Sequence, residues 1–185
     1  MNNPEGFIPT HGGYRKLLTY QKAEIIYDGT VYFCNKYLSK FDRTKDQMIQ
    51  AARSGKQNIA EASMASATSK ETEVKLTNVA KASLEELLID FEDYMRTNNI
   101  AKWDRNHKLS KRFDEINKTP NANYHTFKKA IEHPNPEITT NIMWSLINVT
   151  TYLLSKQIKS LEKVFIKEGG LREKMYQARK NRPQK

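Results

Sequence analysis

Residues 48–94 read MIQAARSGKQNIAEASMASATSKETEVKLTNVAKASLEELLIDFEDY, a pattern of two long helices with a short break between them. From Met48 the positions Met48, Ala52, Gly55, Ile59, Ala62 and Ser66 step by four and three, so they share one face of a helix. Most of them are small, which lets a neighbouring helix approach closely. Thr44-Lys45-Asp46-Gln47 and Thr68-Ser69-Lys70-Glu71 each match the capping-box pattern that opens a helix. The second predicts a further helix to about Asn98, with Leu76, Ala80, Ser83, Leu84, Leu87, Leu88, Phe91 and Tyr94 inward. Two long helices joined by the short Ser63–Ser69 break form an antiparallel pair.

Before this pair, residues 1–18 hold Pro4, Gly6, Pro9, Gly12 and Gly13 and read as an irregular N-terminal arm. A first helix is expected over Thr19–Leu38, with Ile25, Ile26, Tyr32, Phe33 and Tyr37 as its apolar stripe; Gly29 within it marks close packing or a bend. Residues 99–135 are the least regular part, with short amphipathic pieces at Lys108–Ile116 and Asn121–Ile131. Asn135 followed by Pro136 has the form of a helix cap and first turn. The fourth long helix carries Ile138, Ile142, Leu146, Val149, Leu153, Leu161 and Phe165 and stops at Gly169-Gly170. A last basic helix is expected over Leu171–Arg179. The expected fold is all-α: an antiparallel up-down four-helix bundle over 19–169, with a short helical insert (99–135) before the fourth long helix and a basic C-terminal helix or tail (170–185).

Composition agrees. Of the 185 residues, 38% are apolar and only seven are Gly and six Pro, too little punctuation for a sandwich or barrel. With mean hydropathy at −0.77, the helices must show water over much of their circumference. No stretch approaches the roughly 20 apolar residues of a membrane span, so the sequence reads as cytoplasmic. The single cysteine, Cys34, permits no internal disulfide and reads as buried filler.

At Gln50-Ala51-Ala52-Arg53-Ser54 through Asn58-Ile59-Ala60-Glu61, and again at Lys81-Ala82-Ser83-Leu84-Glu85-Glu86-Leu87, the chain resembles a known family. It is the four-helix-bundle family first noticed as proteins encoded in intervening sequences of bacterial large-subunit ribosomal RNA genes. The insert and basic end look like its longer subgroup carrying a "four helix bundle suffix" region. The motif residues are Arg53, Asn58, Ile59, Glu61, Ser83, Leu84 and Leu87; a departure is Ala62, where the family usually has Gly. The family includes the accessory variability proteins of diversity-generating retroelements, which assemble as homopentameric barrels, bind nucleic acid through a basic surface and partner a reverse transcriptase. The resemblance therefore implies a homo-oligomer, a pentamer in form, with a nucleic-acid role.

Within the motif, Asn58 and Glu61 stand one turn apart. They read either as a recognition or catalytic pair, or as ties between helices, with Glu61 meeting Arg53 or Lys81 and Asn58 bonding backbone or a serine such as Ser83. The second reading is preferred because no acid–base or nucleophile partner adjoins them. His11, His107, His125 and His133 show no i, i+4 pairing, and no Gly-rich phosphate loop, Glu-x-x-His element or nucleophile elbow occurs. No enzyme, metal or cofactor is expected.

Charge is the second signal. The net charge is +10, and residues 156–185 carry ten Lys/Arg against three Asp/Glu, which places most of the excess there. Lys156, Lys159, Lys163 and Lys167 recur at helical spacing as one stripe, extended by Arg172, Lys174, Arg179, Lys180 and Arg182. Such a stripe is either an inert solvated face or a contact for a polyanion, and the scarcity of acids favours the polyanion. Tyr176 is placed to stack on a base, or to serve packing. Trp103 and Trp144 read as packing anchors, with Trp144 a candidate for a subunit interface. RNA or DNA, bound through phosphates with low sequence preference, is the expected partner. The alternative is a scaffold that docks an acidic protein or a nucleic-acid enzyme of the reverse-transcriptase kind.

Overall fold

The computed structural model describes residues 12–180, with the Lys174 side chain excepted. Among these residues the fold is all-helical, with no strand. After a 3₁₀ turn at Tyr14–Lys16 come α1 (Leu18–Tyr37), α2 (Thr44–Ala65), α3 (Lys70–Thr97), α4 (Lys108–Asn117), α5 (Tyr124–Ile131), α6 (Pro136–Glu168) and α7 (Leu171–Lys180). Most of the expected arm, residues 1–11, lies outside the described residues.

The small-residue seam of α2 does what its spacing predicts. Ala52, Gly55, Ile59 and Ala62 are buried with Met48, and Ala51 joins them, while Ser66 is half-buried. A Cβ on Gly55 would stand 2.6 Å from Leu84 Cδ2, so any larger residue there would have to push the Leu84 side chain aside. Beside it, Ser54 Oγ and Ser83 Oγ share a hydrogen bond of 2.9 Å between the two helices. On α1, Gly29 marks close packing: a Cβ there would meet Met143 Sδ of α6 at 2.5 Å.

Paired contacts give the helix directions. Cys34 meets Met48 across α1 and α2, and Lys56 Nζ lies 4.1 Å over the Tyr27 ring, so these helices run oppositely. Between α1 and α6, Thr19 Oγ1 donates to Gln157 Oε1 at one end, and Tyr37 OH donates to the His133 carbonyl at the other. Together α1 packs on α2 and α6, α2 packs on α3, and α3 packs on α6. At the centre Phe33 touches Phe91 and Tyr94, both with ring centroids 4.8 Å away.

The insert is part of this core. Phe113 of α4 and Phe127 and Ile131 of α5 are buried, and α5 packs on both α1 and α6. Lys22 of α1, buried, donates to Asn117 Oδ1 at the end of α4. Burial alone pushes the Lys22 ammonium below its ordinary range. Cys34 is fully buried, and burial pushes its thiol up to about 12.

Four local expectations are corrected. Thr44 does not cap α2; Asp42 Oδ1 accepts from the Thr44 amide instead. The α3 cap is Ser69, which accepts from the Thr72 amide, one register later than a Thr68–Glu71 box. On α3, Thr77 is buried where Leu76 was expected, and Leu76 is half-buried. On α6, Leu154 is fully buried and Leu153 only partly, and no residue after Leu154 is buried, so Leu161 and Phe165 do not join the core. Asn135 does cap α6, accepting from the Glu137 amide at 2.9 Å, and Asn99 ends the α3 segment with φ 55°.

Candidate nucleic-acid interface

The second half of α6 runs past the buried core as a largely solvent-facing helix. Lys156, Lys159, Lys163 and Lys167 are all exposed, and at 3.6 residues per turn they fall within an arc of roughly 80°. None of the four forms an ion pair among the described residues. By contrast Lys70, Lys75, Lys81, Lys102 and Lys128 elsewhere all sit within 4.0 Å of a carboxylate. The four lysines thus put a row of unpaired cations on one face of one helix.

The structure does not carry this stripe straight into α7. Gly169, with φ 65°, turns the chain, and the Gly170 amide donates to Glu173 Oε2 at 2.7 Å. Arg172 is exposed beside the start of α3, close enough to help hold the Glu71 carboxyl below its ordinary range, although Lys75 is the main cause. Arg179 and Lys180 are exposed near the end of α7, as is Tyr176. The Lys174 side chain and Arg182 lie outside the described residues.

Toward the N-terminus the same face of α6 leads into an open groove of about 770 Å³, within the range of small-ligand sites. Ser145, Val149 and Tyr152 of α6 line it together with Trp144, and Trp103, Arg105 and Phe113 come from the insert. Ser145, Val149 and Tyr152 lie in the same arc as the four lysines. Tyr152 is 59% exposed, and Lys156 Nζ sits 5.3 Å from its ring centroid. The tryptophans are fixed by their ring N–H groups: Trp103 Nε1 donates to Glu137 at 3.1 Å and Trp144 Nε1 to Glu92 at 2.9 Å. Lys102 pairs with the same Glu92 oxygen and lies 5.3 Å from the Trp144 ring centroid. These bonds, from Lys102 first and Trp144 second, hold the Glu92 carboxyl below its ordinary range.

Trp103 packs against the core, whereas Trp144 is held by its bond to Glu92, and both line the groove. Tyr152 has no place in the sequence reading, although a signal was present: it stands four residues before Lys156, on the same face.

The motif residues form no comparable site. Ile59, Leu84 and Leu87 are core, and Arg53 and Glu61 are exposed. The expected tie from Glu61 to Arg53 or Lys81 is absent; Lys81 pairs with Glu85 at 3.0 Å. Asn58 donates to the Ser54 carbonyl at 2.9 Å and to Ser54 Oγ, the hydroxyl that bonds Ser83, so it supports the clasp between α2 and α3 at one remove. Among the described residues, no group of three or more His, Cys, Asp or Glu side chains could hold a metal ion, and no helix is long and apolar enough to cross a membrane.

On α3, Glu86, Asp90 and Asp93 form an acidic edge. Burial, together with the Glu86 and Asp93 carboxylates, raises Asp90 from 3.8 to about 6. The folded chain then holds a proton that the unfolded chain releases, so stability falls as pH rises through this window. Asp90→Asn is expected to raise the melting temperature near pH 7 and to gain less near pH 4, as thermal melts at the two pH values would register. An equal gain at both would mean that the Asp90 charge is not the cause. No family model, curated protein or solved structure matches the chain.

Proposed function

We propose that the chain is a non-enzymatic cytoplasmic protein that binds RNA or DNA through the outer face of α6, displayed on an up-down-up-down four-helix bundle of α1, α2, α3 and α6. The observation that carries this reading is the set of four exposed lysines in one arc with no carboxylate partner. Leaving cations unpaired on one side raises the local potential and recruits a polyanion by counterion release. The bundle reading is supported by the closed cycle of packing from α1 through α2, α3 and α6 back to α1, and by the opposed directions of α1 to α2 and of α1 to α6. Binding of this kind is dominated by phosphate contacts and weak in sequence preference.

Titrating labelled RNA and DNA over roughly 50–200 mM salt tests the reading. With four lysine contacts, log affinity is expected to fall against log salt with a slope of about −3. A slope near zero, or no binding at the lowest salt, overturns it.

A second reading has its own support. Val74, Phe165 and Ile166 line a surface hollow of about 410 Å³ beside the stripe, and Ile166 is 83% exposed. An apolar patch rimmed by charge suits a protein partner, either a nucleic-acid enzyme such as a reverse transcriptase or a second copy in a homo-oligomer, for which the family resemblance implies a pentamer. Mass in solution by light scattering separates a monomer from an oligomer, and a partner retained after nuclease treatment would favour the scaffold over direct nucleic-acid contact.

A further inference from the structure

We propose that the groove between α6 and the insert seats the bases of a single-stranded nucleic acid whose phosphates follow the lysine stripe, which makes single strands rather than duplexes the ligand of this face. The inference rests on the nucleic-acid reading above and narrows it. Its first ground is continuity. Ser145, Val149, Tyr152, Lys156, Lys159, Lys163 and Lys167 occupy one side of one helix, and at 1.5 Å per residue the track is roughly 33 Å long. Aromatic rings line one end and free ammonium groups the other.

The second ground is rigidity. Each indole N–H is already bonded to a carboxylate, Trp103 to Glu137 and Trp144 to Glu92. The segment bearing Trp103 is pinned by the fully buried Asn141, whose Oδ1 accepts from the Trp103 amide while its Nδ2 donates to the Ala101 carbonyl. The rings are therefore held in place before any ligand arrives, and a fixed aromatic surface is what an unstacked base requires.

The third ground is the separation of charge. Asp104 and Asp114 line the groove with a single cation, Arg105, whereas the stripe below it is free of ion pairs. A phosphate backbone is repelled from the groove and attracted to the stripe, while an uncharged base enters the groove without that penalty. A duplex presents its backbone outward and keeps its bases stacked inside, so it can use the stripe alone. Tyr152 stands where the two regions meet, with Lys156 next to its ring.

The full chain would be titrated with a mixed-sequence single strand of about 15 nucleotides and with a duplex of the same length, at one salt concentration. The single strand is expected to bind about tenfold more tightly. It is also expected to quench the intrinsic tryptophan fluorescence, since both tryptophans of the chain line the groove. Tyr152→Ala, at an exposed position, should weaken single-strand binding about tenfold, the scale of one lost base–aromatic stack, and leave duplex binding unchanged. Lys163→Gln should weaken both alike. Equal binding of single strand and duplex without quenching overturns the groove and leaves the phosphate reading standing. A preference for the single strand that is indifferent to Tyr152→Ala and gives no quenching also overturns it. Absence of binding to either ligand removes both proposals.

Discussion

Leu84→Ala is expected to lower the stability of the fold by about 3 kcal/mol, and adding Gly55→Ala is expected to recover part of that loss. Leu84 is fully buried in the seam between α2 and α3, and its Cδ2 and Cγ lie 2.6 and 2.7 Å from where a Cβ on Gly55 would stand. Truncating it removes apolar contact and leaves a cavity. Gly55→Ala alone has two opposed effects. It gains about 1 kcal/mol of helix propensity, and it forces the leucine aside at an overpacking cost of about 1–3 kcal/mol. In the double variant the new methyl enters space that the leucine has vacated, so the propensity gain stays and the clash disappears. The double variant should therefore be more stable than Leu84→Ala by about 1 kcal/mol, although Gly55→Ala by itself is neutral or destabilising. Urea denaturation of the four proteins gives the cycle. Additivity to within about 0.5 kcal/mol would mean that the close approach of Gly55 and Leu84 does not set the seam.

This seam was the most legible part of the molecule because its information is local. Small residues at helical spacing specify both which face is inward and how near the neighbour comes. The caps were read less accurately for the opposite reason. Where Thr68 and Ser69 adjoin, either hydroxyl can accept from a first-turn amide, and spacing does not choose between them; the chain uses Ser69. Asn58 and Glu61 show the same limit. A separation of three says that they neighbour each other, but Glu61 lies roughly 140° round the helix from the centre of the buried stripe, too far to reach the seam. The groove was legible on one side only. Its α6 wall follows from periodicity, but the opposite wall is set by Asn141 gripping the irregular chain at Ala101–Trp103. That contact spans about forty residues of sequence and leaves no pattern in it.

Replacing Lys156, Lys159, Lys163 and Lys167 together with glutamine is expected to flatten the salt dependence of nucleic-acid binding by about 3 in log–log slope. At about 50 mM salt the same change should weaken binding on the order of a thousandfold, because each lost phosphate contact forfeits its share of counterion release. Glutamine keeps the length and hydrogen-bonding capacity of the side chain but removes the charge, so the change in slope reports charge alone. The fold should be little affected. All four lysines are exposed and none holds an ion pair, and surface changes of this kind stay within about 0.5 kcal/mol each. The control is a matched variant that removes four paired or scattered lysines, Lys70, Lys75, Lys81 and Lys128, and so changes net charge equally without touching the stripe. If affinity depended only on the overall charge of +10, the two variants would behave alike. A surface specialised for binding predicts that the stripe variant loses the slope while the control keeps most of it, since lysines already neutralised by Glu73, Glu71, Glu85 and Glu132 have less field to offer a phosphate. Equal losses in the two variants would leave α6 with no privileged role and return its lysines to the status of a solvated face.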